Sequence, residues 1–415
     1  MDYLKALGLS SEQADALGSA GDVLQAFSVF TVIVFMFLVR YADHFLLRRR
    51  AREFALYELM GMDTGAVSSI LLFEGVLVGT TALVGGVALG ALLSPAFGAI
   101  AAFVFGVSWR FVFSFSPDAA AWTALCFAAV FAVNAAGDAR MVARKPLIEL
   151  VAARRTPERA HVTGGLASMV RLALAVLLLG VVWGSCLLQP VYFIAFIIPM
   201  GFAACIATAL VAQLGVVRWA EASRRRGGRY WRGVRVFTVR QVESRVTSTS
   251  MALACACVLI AAAVCMMVAG FALSVGLRTS EMISSGVADS LAPIGFIGIF
   301  YGSVFLLAAV AVLSLQQLSG VADSRGAFRT LAQLGCERSD MRASLRTQVR
   351  LCFAAPLLGA LVHDVFGFAL VAFLSSALGV QSFASIVAGV LALTVGFIGV
   401  YSLLTERAAE RLALP

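Results

Sequence analysis

Apolar runs of roughly twenty residues recur along this chain, and short arginine-rich stretches separate them. A helix of that length crosses a hydrocarbon core of about 30 Å. None of the runs alternates apolar and polar positions with period two. Helices rather than barrel strands therefore satisfy the backbone inside lipid. The pattern predicts nine spanning helices, at about 23–47, 65–94, 119–138, 172–189, 192–216, 248–275, 294–317, 351–377 and 382–404. The fold class read from it is all-α, a polytopic membrane helix bundle.

The polar stretches set the orientation. Residues 40–64, 139–171, 217–247, 318–350 and 405–415 hold 29 of the 32 basic residues, and the opposite side keeps only Lys5, Arg110 and Arg278. Cytoplasmic loops collect Lys and Arg, so these five stretches are expected inside. That places residues 1–22 outside and the C-terminus in the cytoplasm. No basic region precedes the first apolar run, so residues 1–22 do not read as a secretory signal.

Two polar-to-apolar transitions resemble each other. "FALYELMGM" at Phe54–Met62 aligns with "FRTLAQLGC" at Phe328–Cys336 at an offset of 274 residues, with Gly61 on Gly335 and Glu74 on Gln348. Each copy is a basic loop, an amphipathic turn and a glycine, followed by a long helix entering the membrane. Such a repeat points to two pseudo-symmetric halves. Within the first copy, Phe54, Tyr57 and Met60 follow helical spacing and are expected to form one apolar stripe.

Composition strengthens the membrane reading: 61% of the residues are hydrophobic and 13% are charged. The net charge of +9 belongs to the basic loops, and nucleic acid is not an expected partner. The stretch 217–247 carries nine arginines with Trp219, Tyr230 and Trp231, which suits an amphipathic segment lying on anionic headgroups. Gly75, Gly79, Gly86 and Gly90 form two small-xxx-small pairs, the pattern of close helix packing in lipid.

Chemistry is sparse. Neither of the two lysines follows a glycine, so there is no phosphate-cradling Gly-Lys-Ser/Thr loop and no ATPase of the P-loop kind. The three histidines include no i, i+4 pair, and the eight cysteines have no metal-ligand spacing and read as small apolar side chains. No catalytic, cofactor-binding or metal-binding residues are assigned. The ionisable groups inside spans are Glu74, His363 and Asp364, which are costly in lipid. They serve either as functional groups or as hydrogen-bonded packing pairs. No series of acids crosses the membrane, which argues against a proton pump.

The first transition resembles the signature of the FtsX-like permease family of ABC transporters, and most of all its bacitracin/antimicrobial-peptide permeases. The residues are Arg52, Glu53, Phe54, Leu56, Tyr57, Leu59, Gly61 and Met62, followed by Phe73 and Glu74 in a glycine-rich helix. The resemblance continues through "FSFSPDAA" at Phe113–Ala120, "VARKPLIELV" at Val142–Val151 and the stretch Gln317–Phe368.

The resemblance implies a permease subunit without its own cofactor, worked by separate ATPase subunits, two copies of them, that use ATP and Mg. It implies two coupling segments, Arg48–Met62 and Ser324–Arg342, the second including Arg329, Leu331, Leu334 and Gly335. It implies a bacterial cytoplasmic membrane and an amphipathic substrate such as a peptide antibiotic, lipid or lipopeptide, with antimicrobial peptide resistance as the associated trait. A sensor histidine kinase is a further partner of such systems, beside the membrane lipids. The alternative role is a membrane sensor or regulator that reports ATPase state to a histidine kinase or a cell-wall hydrolase.

On this reading residues 23–138 are the first transmembrane half with its coupling loop at 48–64, 139–171 a cytoplasmic linker, and 172–216 a linking helix pair. Residues 217–247 are the basic interfacial segment, 248–404 the second half with its coupling loop at 318–350, and 405–415 the tail. Two departures from the family pattern are expected. The first family helix is lacking, and the connection at about Ser274–Pro293 is too short for the large extracellular domain of peptide permeases.

Overall fold

The structure is a computed structural model. It describes residues 64–105, 111, 116–144, 165–189, 196–225, 227–276, 285–377, 379–380 and 382–414, with isolated positions between 31 and 63. Among these residues there is no strand. Eight long helices are described: α1 Thr64–Phe105, α2 Pro117–Arg144, α3 Gly165–Leu188, α4 Ile197–Arg225, α5 Arg235–Phe271, α6 Ser285–Gln333, α7 Arg338–Ala377 and α8 Phe383–Ala413. All eight are long and apolar enough to span a membrane. The chain is a multi-pass, all-α membrane protein. The first predicted span, 23–47, lies mostly outside the described residues, though Thr31, Val32, Phe35, Met36, Val39, Arg40 and Asp43 within it are helical.

The helices outrun the apolar runs that announced them. α1 was expected to end at 94, before Pro95, but continues through Pro95 to Phe105, and α7 likewise contains Pro356. Proline inside a transmembrane helix is tolerated because local backbone adjustments and neighbouring groups re-satisfy the freed carbonyl. α6 was expected over 294–317 and spans Ser285–Gln333. Hydropathy marks the thickness of lipid, not the end of the helical hydrogen-bond ladder.

The chain divides into two units, Met1–Pro157 and Glu158–Pro415. In the first, α1 packs on α2. A Cβ at Gly75 or Gly79 would stand 3.3–3.4 Å from the Phe131 or Phe127 ring, so this glycine pair seats two aromatic rings. Among the described residues nothing lies within 4 Å of Gly86 or Gly90, and the second pair meets no described helix there. Arg40 pairs with Asp138 and donates to the Asn134 carbonyl at 3.0 Å, tying the helical residues around 40 to α2.

In the second unit α5 is the hub, touching α4, α6, α7 and α8. Ala256, Ile260, Ala263 and Val268 are fully buried on it. Its crossing with α6 is backbone to backbone. A Cβ at Gly302 would come within 2.7 Å of the Ala263 carbonyl, and one at Gly298 within 2.7 Å of the Met266 carbonyl. Only glycine permits that approach, and close approach is what helix association in lipid feeds on.

The basic stretch 217–247 is not a separate helix. Its two flanks are the ends of α4 and α5, closed by a turn at Gly227–Arg229 with positive φ at Gly227 and Gly233. The helical path of α5 breaks at Thr249 (φ −117°, ψ 15°), where the apolar span begins. Side-chain bonds tie these helix ends to their neighbours. Arg224 forks onto Glu243 at 2.8 and 3.0 Å, and Thr238 and Ser344 hydroxyls meet at 2.6 Å. Arg245 donates to the Gly320 carbonyl at 2.8 Å and to Ser324 Oγ at 3.0 Å. α7 and α8 are joined at the same end by Arg350–Glu406 at 2.8 Å and Arg346–Glu410 at 2.7 Å. The arginine-rich ends of α4 to α8 thus continue past the apolar runs as a polar-bonded stalk.

Candidate functional site: two matching elbows

The two transitions aligned by sequence adopt one local structure. The Met60 amide donates to the Leu56 carbonyl at 3.0 Å and the Met62 amide to Tyr57 at 3.1 Å. At the offset of 274, the Leu334 amide donates to Thr330 and the Cys336 amide to Leu331, both at 3.0 Å. The five-residue back-bond closing each helix is the Schellman arrangement, which needs a left-handed residue just past the end. Gly61 (φ +94°) and Gly335 (φ +83°) supply it. α1 then starts at Thr64 and α7 at Arg338, again 274 apart.

Burial also repeats. Phe54 is 2% exposed and Phe328 0%. Six residues beyond each glycine (67 − 61 and 341 − 335), Val67 and Met341 are buried in register. Phe54 and Val67 form a small core that Tyr57, Met62 and Leu71 flank. Phe328 meets Phe237 of α5 edge to face at 5.2 Å. Each elbow is therefore a helix end pinned by one buried phenylalanine, turned by glycine, and stiffened by the helix that follows.

The expected stripe Phe54–Tyr57–Met60 splits in the structure. Phe54 faces its own core, Tyr57 is half-buried, and Met60 is 65% exposed beside Leu56 at 56% and Leu59 at 63%. In the second elbow Leu331 is half-buried, while Leu334, the counterpart of Met60, is 78% exposed. Glu53 and Arg329 are exposed, Met62 is half-buried, and Arg52 lies outside the described residues. The free apolar tips are thus Leu56, Leu59 and Met60 in one elbow and Leu334 in the other. Met60 was legible only as part of the stripe, because spacing gives a face but not what covers it. Beside the second elbow a cleft of about 490 Å³ opens between Val234, Val236 and Phe237 of the α5 end and Leu331, Cys336 and Asp340.

The intramembrane polar groups lie apart from the elbows. His363 joins α7 to the α3–α4 pair: the Trp183 indole N–H donates to Nδ1 at 3.2 Å, and Thr208 Oγ1 lies 3.0 Å from Nε2. An indole nitrogen can only donate, so Nδ1 is the acceptor and the imidazole is neutral with its hydrogen on Nε2. Trp183 also stacks on Phe366 at 4.4 Å. Asp364 is 1% exposed, and the Cys265 thiol donates to its Oδ1 at 3.4 Å. Glu74 is half-buried on α1; its counterpart Gln348 is buried and donates to Ser344 Oγ at 3.3 Å. Glu74 belongs to the first unit, and His363 and Asp364 to the second. Trp183 and Thr208, the partners of His363, carry no sequence signal beyond being polar-tipped residues in apolar runs.

Two elbows of matching local structure thus stand at the starts of two long spanning helices, α1 and α7. Residues 26–144 match the family model described as FtsX-like permease C-terminal. Over 109 residues the chain is 30% identical to the ABC transporter permease protein YxdM of Bacillus subtilis (strain 168), a match that takes in 26% of this chain and 16% of that protein. Over residues 26–144 the chain is similar to the FtsX-like permeases, and it spans about a sixth of the length of the relative it matches. The family match includes the first elbow; the second, at 328–336, lies beyond it and shares its local structure.

Proposed function

We propose that this chain is the membrane-spanning permease subunit of an ABC transporter, moved by separate ATPase subunits that seat on the two elbows. One observation carries the reading: the elbows have the same back-bond, the same left-handed glycine, the same buried phenylalanine and an exposed apolar tip at the same register position. A pair of like handles suits a pair of like motor subunits. Apolar side chains exposed on a helix end, in a stretch that collects arginine, suit insertion into a groove on a soluble partner.

The geometry supports a stroke driven at the elbows. The glycine turn links each elbow to a helix of about 40 residues, 42 in α1 and 40 in α7, so each span is long enough to cross the bilayer and extend beyond it. Displacing an elbow displaces a rigid rod, and ATP and Mg remain the partner's chemistry. The apolar composition and family resemblance favour an amphipathic substrate handled at a bacterial cytoplasmic membrane, of the peptide-antibiotic, lipid or lipopeptide kind. The test is affinity purification of the tagged chain from native membranes in mild detergent. Retention of an ABC-type ATPase whose hydrolysis rate changes on binding supports the reading; a chain that purifies without any ATPase, and that stimulates none encoded beside it, overturns it.

A further inference from the structure

Cys205 on α4 and Cys255 on α5 face one another with their sulfurs 3.4 Å apart. Residues 50 apart in sequence, on two different spanning helices, are held in that register by alanines. Ala209 and Ala254 are buried in the same cluster, Val258 packs against it, and Ala207 nearby is fully buried. Small side chains let the two backbones approach closely enough for short cysteine side chains to meet. The sulfurs need to close by only about 1.4 Å to reach the ~2.05 Å of a disulfide. The two thiols differ in access: Cys205 is buried at 4%, whereas Cys255 is partly exposed on the span Thr249–Ser274. Cys255 stands six residues inside that span, about 9 Å along the helix from its polar end, so what reaches it arrives through lipid rather than water.

We propose that Cys205 and Cys255 are a two-thiol oxidation site, specific for organic hydroperoxides dissolved in the bilayer, that closes to a disulfide stapling α4 to α5. The more accessible Cys255 sulfur attacks the terminal oxygen of the hydroperoxide. The O–O bond breaks, the alcohol leaves with the thiol proton, and Cys255 becomes a sulfenic acid. The Cys205 sulfur then attacks the Cys255 sulfur. The S–O bond breaks, water leaves with the Cys205 proton, and the S–S bond forms. Two thiols lose two electrons together, and the hydroperoxide gains them in becoming alcohol and water. Reactive cysteines of this type pair an accessible thiol with a resolving one, and the geometry supplies both. The staple would join the α3–α4 pair to the hub helix α5 and does not depend on the permease reading.

The experiment uses the full chain in lipid nanodiscs, treated with cumene hydroperoxide or with hydrogen peroxide, then blocked with N-ethylmaleimide. Peptides are read without reduction by mass spectrometry. The expected result is a Cys205–Cys255 linked peptide, formed faster with cumene hydroperoxide than with aqueous peroxide and absent from Cys205→Ser and Cys255→Ser. In Cys205→Ser the sulfenic acid should persist on Cys255 and react with dimedone; in Cys255→Ser no sulfenic acid should appear at Cys205. Failure of the linked peptide to form even with copper–phenanthroline would overturn the pairing. Equal rates with the two peroxides, or dimedone capture at Cys205 first, would overturn the lipid-side order of attack. Because the readout is a covalent bond, a negative result leaves ATPase docking and transport untouched.

Discussion

Truncating the exposed tips of the elbows separates docking from folding. Leu334 is 78% exposed and Met60 65% exposed, so neither contributes much to the core of its unit. Full burial of a leucine or methionine side chain is worth about 1.5–3 kcal/mol. At these exposures, roughly two-thirds to three-quarters of that is still available to a partner, and truncation to alanine forfeits most of it, about 1.5 kcal/mol for Leu334 and about 1 kcal/mol for Met60. At 1.4 kcal/mol per decade, Leu334→Ala should weaken ATPase binding about tenfold. The double variant should weaken it by approaching a hundredfold, since the sites lie in different units and should add. The assay is titration of the ATPase subunit onto the permease in nanodiscs, with the thermal transition of each variant as a folding control. Unchanged affinity in a double variant that folds normally would refute the handle model and reassign the tips to lipid. Tyr57→Ala makes a useful contrast, because its ring flanks the Phe54–Val67 core and its loss should loosen the elbow itself.

Three further outcomes are expected. Gly61→Ala and Gly335→Ala meet no atom of the described residues within 4 Å, so the cost expected is the strain of positive φ, about 1–2 kcal/mol. Hydrogen exchange at the Met62 and Cys336 amides should then quicken by about 5–30-fold, with asparagine recovering part of the loss; unchanged exchange would mean that the turn does not depend on glycine. Arg245→Ala removes the bonds to Gly320 and Ser324 and should destabilise the second unit by about 3 kcal/mol, whereas Arg245→Met, which keeps the apolar stem, should cost less. Burial already works against the Arg245 charge, and thermal transitions of Ala and Met variants equal to the parent would make the bolt dispensable. In a chain otherwise free of cysteine, Ser285→Cys should react with an impermeant thiol reagent in intact cells and Ser223→Cys should not, with the reverse pattern overturning the assigned orientation.

The sequence alone determined the class of fold and the place of the two elbows. Lipid imposes one rule, that the backbone satisfy itself over a fixed thickness, and a run of apolar residues reports obedience to it directly. The 274-residue offset between Phe54–Met62 and Phe328–Cys336 was legible for a related reason. A left-handed helix end has few chemical solutions, so its glycine and flanking apolar residues recur. What the tertiary structure decided was which side of each pattern faces protein. Spacing put Phe54, Tyr57 and Met60 on one stripe, but only packing against Val67 buries the first and leaves the last exposed. The same holds for the basic stretch 217–247. Its arginines read only as a basic layer, and the structure alone shows that Arg224 bonds to Glu243 within the stretch and Arg245 to Gly320 and Ser324 far along the chain. His363 waited on Trp183 and Thr208, and Cys205 on Cys255, for the same physical reason. A single-residue polar group in an apolar run carries no period of its own, and its role is set by whatever the crossing of two helices happens to place within 3.5 Å.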